Sequence, residues 1–228
     1  MIVTIDGPAG AGKSTVARSL ARRLDVPYLD TGAMFRALTL LALREGVALD
    51  DEQALLAALG RHELEMRRDG DVLLNGASVR DALRAPEVTR NIRAIAASAP
   101  MRAYLLAQQR DLAKRWGSLV CDGRDTGTVV FPRAELKIYL DASSHERATR
   151  RHRELSEKGL PCPPLAELEA EILARDESDR RRAVAPLAKA DDALTIDSTE
   201  LSAGGVLERL FTLAKAQRSK ARSEPAER

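Results

Sequence analysis

The chain has 228 residues, 44% of them hydrophobic and 31% charged, which is enough to bury the core of one domain with a small insertion. Its 36 Lys and Arg nearly balance 34 Asp and Glu, and only 3% of residues are aromatic, so the composition does not favour a nucleic-acid-binding protein. No apolar run is long enough to cross a bilayer and no charged-then-apolar leader opens the chain, so we expect neither membrane association nor secretion.

The cysteines and histidines show no ligand-spaced pattern. Cys121 and Cys162 lie far apart, and His62, His145 and His152 match no metal motif. We therefore expect two free thiols in the reducing cytoplasm.

The first 60 residues alternate short apolar strands with amphipathic helices. In chain order we predict strands over 2–6 and 26–30, and helices over 13–24, 31–46 and 51–60. Thr31 is the expected cap of the second helix, which ends at Gly46.

An insertion is predicted over 61–95, because two short alternating segments interrupt this order. They cover 62–67 and 71–76, with glycine turns at Gly70 and Gly76, and indicate an antiparallel hairpin.

The remaining chain returns to strands and helices. We predict a helix ending at Trp116, strands over 118–122, 136–141 and 193–197, an arginine-rich helical pair over 144–182, a helix over 201–216 and a disordered tail over 217–228. The alternation predicts an α/β fold with a five-stranded parallel sheet flanked by helices. Asp6, Asp30, Asp122 and Asp141 end four of these strands, where such sheets bind polar ligands.

The loop after the first strand matches G-x-x-x-x-G-K-[ST], the phosphate-binding P-loop, between a strand and a helix as that motif requires. Its glycines let backbone N–H groups face a phosphate, and the helix adds the positive end of its dipole. Lys13 is expected to reach the β- and γ-phosphates of ATP and Ser14 to ligate Mg²⁺. The predicted ATP-binding residues are Gly7, Pro8, Ala9, Gly10, Ala11, Gly12, Lys13, Ser14 and Thr15.

Three classes of P-loop protein compete. A GTP-dependent switch needs the N-K-x-D tetrapeptide, which does not occur here, and motor or transporter ATPases are larger. A small kinase must exclude water and neutralise phosphate charge, which suits Arg36, Arg124 and Arg175 near the predicted strand ends. At least one of the three arginines 180–182 is expected to face the site, whereas Arg150 and Arg153 are expected on a solvated helix face.

Four stretches resemble the bacterial cytidylate kinase family, and the resemblance covers the chain from Met1 to about Ala216. They are 7–15, 28–36, 122–132 and 175–187. The D-G-R-D-x-G-T-V-V-F-P block within them is highly specific, whereas a P-loop alone is not. The resemblance implies a monomer with a P-loop NTPase fold, with a core over 1–60, 96–143 and 183–216, a nucleoside monophosphate (NMP)-binding insert over 61–95 and a helical lid over 144–182.

The resemblance also implies transfer of the γ-phosphate of ATP to CMP or dCMP with Mg²⁺. Carried over residue by residue, Lys13, Arg124 and Arg182 are catalytic. The implied CMP-binding residues are Thr31 near the acceptor, Arg36, Arg124 and Arg182 on its phosphate, Arg102 and Asp125 on cytosine, and Arg175 and Asp179 on the ribose. A kinase for UMP, AMP or shikimate is the nearest alternative, and a GTP-dependent switch a more distant one.

One departure from the family affects base recognition. The family has a base-contacting serine where this chain reads Ile92-Arg93-Ala94, so either Ser98 replaces it or the contact is lost. The chemistry itself needs no catalytic histidine or carboxylate base, because the second pKa of an acceptor phosphate is about 6 and the phosphate is largely ionised at neutral pH. Charge neutralisation by arginines and one magnesium is what the transfer requires.

Overall fold

The computed structural model describes residues 1–223, in which strands and helices alternate. The strands are β1 (Ile2–Asp6), β2 (Tyr28–Asp30), β3 (Leu64–Met66), β4 (Val72–Leu74), β5 (Ala77–Ser78), β6 (Leu119–Gly123), β7 (Leu136–Asp141) and β8 (Leu194–Asp197). The α-helices are α1 (Lys13–Leu24), α2 (Thr31–Glu45), α3 (Glu52–Leu59), α4 (Pro86–Ala97), α5 (Ala99–Trp116), α6 (Ser144–Glu157), α7 (Leu165–Arg180) and α8 (Ala203–Ser223). A 3-10 turn covers Ala82–Arg84 and a π-helical turn Thr126–Val130.

Five strands form the central parallel sheet, in the order β2-β6-β1-β7-β8. The predicted five-stranded sheet is therefore confirmed, with strand bounds shifted by at most two residues. All five carboxyl ends lie on one edge, and the P-loop follows the central strand there. That edge is where an open α/β sheet binds its ligands.

Helices cover both faces of the sheet. Val16 and Leu20 of α1 pack with Leu210 of α8 on one face, and α2 and α5 contribute Leu38 and Leu105 to the other. Fully burying a leucine contributes about 1.5–3 kcal/mol relative to leaving it exposed, so these helices fix the sheet that positions the loops.

Within the predicted insertion, β3, β4 and β5 form a three-stranded antiparallel sheet. The predicted hairpin is confirmed, and β5 adds a third strand after the turn at Asn75 and Gly76, both of which have positive φ. Met66 and Val72 share a hydrophobic cluster with Leu38 of α2, so the insertion packs directly on the main core.

The helical pair α6 and α7 has a smaller core of its own. It consists of four buried side chains, Ala148, Leu155, Leu168 and Ile172. The two helices are separated by a turn over 158–164, as the Gly- and Pro-rich segment predicts.

Two local predictions were wrong. Asp30, not Thr31, caps α2 by accepting a hydrogen bond from Ala33 N at 2.8 Å. The tail predicted to be disordered from residue 217 is helical as far as Ser223, because its alanines, lysines and arginines are good helix formers and Arg218 donates to Leu24 O at 3.5 Å. Residues 224–228 lie outside those described.

Within 1–223, the helices are all too short or too polar to traverse a bilayer.

Candidate active site

The P-loop between β1 and α1 forms an open cradle of backbone amides. Gly7 has φ +149, and a Cβ there would lie 2.0 Å from Leu140 O, so only glycine fits against β7. Gly12 has φ +86, and no side chain caps the first turn of α1. The amides of that turn are therefore free to bind an anion.

Lys13 and Ser14 of the P-loop are oriented by protein oxygens. Lys13 Nζ donates to Pro8 O at 2.6 Å, and Ser14 Oγ donates to the Asp122 carboxylate at 2.7 Å. Burial, reinforced by Arg124 and Arg175, lowers the pKa of Lys13 to about 7. An anion bound beside it would oppose this shift and keep the ammonium charged.

Of the four strand-end aspartates, only Asp122 accepts a hydrogen bond from a P-loop side chain within the described residues. Asp6 accepts hydrogen bonds from Thr126 and Gly127, Asp30 caps α2, and Asp141 accepts from its neighbour Ala142. Burial and the nearby Asp30 raise the pKa of Asp122 to about 6. Three of these carboxylates therefore shape loops, and one forms part of the site.

Four arginines converge beside the P-loop, and we name Arg36, Arg124, Arg175 and Arg182 the arginine cluster. Arg124 Nε lies 2.9 Å from Asp179 and Arg182 Nη1 lies 3.9 Å from it. Within the described residues, Asp179 is the single carboxylate that forms ion pairs with the cluster. The cluster therefore has excess positive charge.

The electrostatics of this cluster favour a bound anion. Burial, with Arg124 and Arg36 alongside, lowers the pKa of Arg175 to about 9. Burial also lowers the pKa of Arg36 and of Arg182, and the buried Nε of Arg182 has no hydrogen-bond partner in the described chain. Phosphate oxygens would supply both the missing charge and the missing acceptors.

A cavity of about 180 Å³ lies next to the cluster, between α5 and the π-helical turn. Arg102 and Asp125 form a buried ion pair on its wall, and Phe35 lies under the Arg102 guanidinium, 5.2 Å away. Asp125 does not brace Arg124, whose hydrogen bonds go to Asp179 and Gly123. A flat polar ring with both donors and acceptors fits such a pocket.

The contacts of Ser98 bear on whether it replaces the family's base-contacting serine. Ser98 is buried, caps α5 by accepting from Met101 N, and donates to Glu52 Oε1 at 2.7 Å. It is not among the residues that line the cavity, so the structure offers no support for Ser98 as a replacement for the family's serine.

Helices α6 and α7 are joined to the P-loop by a buried contact that the sequence did not predict. Asp176 is 0% exposed and accepts from Ala9 N at 2.8 Å. Arg147 donates to Ala9 O at 2.8 Å and to Asp176 at 2.5 Å. We name these three residues the lid latch. Nothing in the sequence around Asp176 indicates a partner 167 positions away.

The predictions for the arginines of α6 and of 180–182 are confirmed except at Arg150. Arg182 turns inward while Arg180 and Arg181 are exposed, as expected for 180–182. Arg153 is exposed as predicted, but Arg150 is not on a solvated face, because its guanidinium reaches β8 and donates to Ser198 Oγ at 3.1 Å.

The fold and this arrangement of charges define a class. A P-loop on the central strand of a parallel sheet, facing an arginine cluster and a ring-sized cavity, is typical of a P-loop kinase for a small phosphorylated acceptor.

Comparison with known proteins identifies the family. The family described as cytidylate kinase matches residues 3–216, so the chain belongs to the cytidylate kinase family of nucleoside monophosphate kinases. The resemblance inferred from the four sequence stretches is confirmed.

Individual relatives agree with this assignment. A cytidylate kinase of Geobacillus sp. (strain WCH70) is 48% identical over 214 residues, covering 92% of this chain and 95% of that protein. A bifunctional pantoate ligase/cytidylate kinase of Prochlorococcus marinus (strain MIT 9303) is 48% identical over 95% of this chain, which spans 45% of that longer protein. A solved structure of an uncharacterized protein from Eubacterium ventriosum ATCC 27560 gives a TM-score of 0.53 at 10% identity, covering 94% of this chain and 98% of that one, which shows a shared fold alone.

Proposed function

We propose that the P-loop holds ATP and that the arginine cluster receives the phosphate of CMP or dCMP, so that the γ-phosphoryl group passes to the acceptor. A phosphate oxygen of the acceptor forms the new P–O bond, the bond to the β,γ-bridging oxygen breaks, and ADP leaves. The observation that carries this proposal is the cluster itself: it lies beside Lys13, and within the described residues its four arginines form ion pairs with one carboxylate only, that of Asp179, through Arg124 and Arg182.

The ATP site is assigned to the P-loop, residues 7–15. The open amides of the first turn of α1 suit the β-phosphate. Lys13 would stay in contact with the γ-phosphate during transfer, because its ammonium lies among Arg124, Arg175 and Asp122. A cation whose contacts strengthen as the phosphoryl group moves lowers the barrier rather than only the KM.

The residues present also fit Mg²⁺. The Ser14 hydroxyl and the Asp122 carboxylate are adjacent oxygen ligands, 2.7 Å apart, of the type that Mg²⁺ prefers. Tyr28 Oη donates to the other oxygen of Asp122 at 2.6 Å and so fixes the carboxylate. Bound there, the ion would neutralise phosphate charge during transfer.

The acceptor site is assigned to the cluster and the adjoining cavity. Arg36, Arg124 and Arg182 would hold the phosphate, with Thr31 close by. Arg102 and Asp125 would read cytosine, because Arg102 is donor-only and an ionised Asp125 acceptor-only. Arg175 and Asp179 would contact the ribose. Arg175 is also close enough to Arg124 to interact with the bound phosphate.

No residue has to remove a proton in this mechanism. The acceptor phosphate is dianionic for most of its population at neutral pH. His62 contacts Glu45 and Asn75, and His145 and His152 are exposed on α6. The chain's contribution is therefore positioning and charge neutralisation.

The division into core, NMP-binding insert (61–95) and lid (144–182) is part of this proposal. The insertion would cover the acceptor and the lid the ATP. Monomeric state, cytoplasmic location and lack of nucleic-acid binding stay predictions.

A panel of acceptors tests the proposal. The full chain is incubated with ATP, Mg²⁺ and CMP, dCMP, UMP, AMP, GMP or shikimate, and phosphoryl transfer is followed for each. We expect kcat/KM to be highest for CMP and dCMP. A preference for any other acceptor, or ATP hydrolysis that no acceptor accelerates, would contradict it.

A further inference from the structure

The cavity beside the arginine cluster contains one polar side chain that none of the assignments above uses. Gln109 lies on α5 two helical turns after Arg102, so the two side chains share a face of the helix. Gln109 is 2% exposed and lines the cavity together with Arg102 and Asp125.

No hydrogen bond joins the Gln109 amide to another group in 1–223, and its N and O atoms are not among the fully enclosed unpaired side-chain atoms, so the amide is accessible from the cavity that it lines. Its surroundings are already engaged: Arg110 donates to the carbonyls of Val129 and Val130, and Arg102 contacts Asp125. Buried amides are nearly always paired in native proteins. The Gln109 amide has no protein partner in the described part of the chain and borders the cavity, so it is available to bond to whatever occupies the cavity.

We propose that Gln109 binds the exocyclic group at position 4 of the pyrimidine base, an inference that rests on the proposed function. The N4 amino group of cytosine has two N–H bonds. Asp125 can accept one of them with the carboxylate oxygen that Arg102 does not contact. Gln109 carries the one other side-chain carbonyl on the cavity wall, within the described chain, and accepts the second.

The two residues then contribute differently to base choice. An ionised Asp125 only accepts, so it disfavours the O4 carbonyl of uracil. The Gln109 amide can rotate by half a turn and present its N–H₂ group to that carbonyl instead. Gln109 therefore adds affinity for either pyrimidine, and Asp125 supplies the discrimination.

Two substitutions test this role. Gln109→Glu makes the position acceptor-only once the new carboxyl is ionised, and burial beside Asp125 raises the pKa of that carboxyl. The ratio of kcat/KM for CMP to that for UMP, measured over a range of pH, should therefore rise at least tenfold above this pKa. Gln109→Met keeps the length but removes both hydrogen-bonding groups, and KM for CMP and for UMP should each rise about three- to tenfold with little change in kcat. The same substitutions at Gln108, which lines a separate groove near Trp116, are the matched controls and should change neither parameter.

A purely structural role for Gln109 gives a different pattern. Since the free protein has no hydrogen bond to lose there, Gln109→Met should leave Tm unchanged or raise it. An unchanged KM for CMP in Gln109→Met, or a lower Tm with an unchanged CMP-to-UMP ratio in Gln109→Glu, would overturn the inference.

The proposed function has its own test: it is wrong if the unsubstituted chain does not phosphorylate CMP. In that case, calorimetric titration of CMP into the unsubstituted chain and into Gln109→Met still measures how much Gln109 contributes to CMP affinity, because it needs no turnover. Equal affinity of the two proteins would overturn the role of Gln109.

Discussion

The P-loop and the arginine cluster lie beside each other but differ in how their charges are balanced. At the P-loop, Lys13, Ser14 and Ala9 all have protein partners. In the arginine cluster, Arg124 and Arg182 share one carboxylate, Asp179, and the other two guanidinium groups form no ion pair within the described residues. The P-loop is therefore organised before any ligand binds, whereas the cluster lacks the anion that would complete it.

This difference indicates how the enzyme would favour transfer over hydrolysis. Buried like charges raise the free energy of the empty cluster, and a bound phosphate removes that penalty. Binding of the acceptor would thus complete the electrostatic environment of the transferring group, and water would not.

The largest expected effect concerns the P-loop. Lys13→Ala should lower kcat by about 100-fold or more, because the ammonium meets the transferring phosphoryl group most strongly in the transition state. Tm should stay close to that of the unsubstituted chain. Lys137 is a matched control, since its Nζ also donates to a carbonyl five residues earlier, Pro132 O, at 2.6 Å, and Lys137→Ala should keep kcat. Near-full activity of Lys13→Ala would contradict the proposal that the P-loop lysine stabilises the transferring phosphoryl group.

The next largest effect tests whether the cluster carries phosphate affinity. Arg182→Ala removes a cation that contacts Asp179 and the rest of the cluster, and kcat/KM for CMP should fall about 10- to 100-fold. Arg181→Ala should leave kcat/KM for CMP unchanged, because that side chain is 79% exposed and pairs with Glu177. Equal effects of the two substitutions would show that general surface charge, not the cluster, binds the acceptor.

An intermediate effect is expected at the lid latch. Asp176→Asn removes the charge that Ala9 N and Arg147 share, so KM for ATP should rise about tenfold and amide hydrogen exchange in 144–182 should become faster. Glu177→Gln, at an exposed neighbour, is the control. Unchanged exchange in Asp176→Asn would mean that the latch does not hold the lid on the P-loop.

These contacts mark the limit of prediction from the sequence. The P-loop, the five strands and the helical pair could be predicted because each is a contiguous pattern with its own period or spacing. The lid latch and Gln109 could not, because their significance depends on residues far apart in the chain that only the packed fold brings together. Asp6, Asp30 and Asp141 show the converse error: their position at strand ends suggested a ligand site, but they accept hydrogen bonds from the protein instead, Asp30 and Asp141 from nearby residues and Asp6 from the distant Thr126.

The smallest effect is on stability and depends on pH. Burial acts to raise the pKa of Asp179, but Arg124 and Arg182 outweigh it and hold that pKa below its ordinary value. A carboxyl group with a depressed pKa stabilises the fold above its unfolded pKa, and this contribution is lost as the pH falls through the folded one.

Asp179→Asn should therefore lower the free energy of unfolding at pH 7, and its difference from the unsubstituted chain should shrink below about pH 4. Urea unfolding of both proteins at several pH values measures this difference in the free energy of unfolding. Asp191→Asn, at an exposed position, should show no such trend. A difference for Asp179→Asn that is constant from pH 7 to pH 3 would contradict the ion-pair account.

The most direct test of the central claim, that the arginine cluster is arranged around the phosphate of the acceptor, is calorimetric titration of the full chain with CMP and with cytidine at two salt concentrations. We predict that CMP binds at least 100-fold more tightly than cytidine, since several charge-assisted hydrogen bonds depend on the phosphate, and that added salt reduces this advantage. Equal affinity for CMP and cytidine would contradict the account.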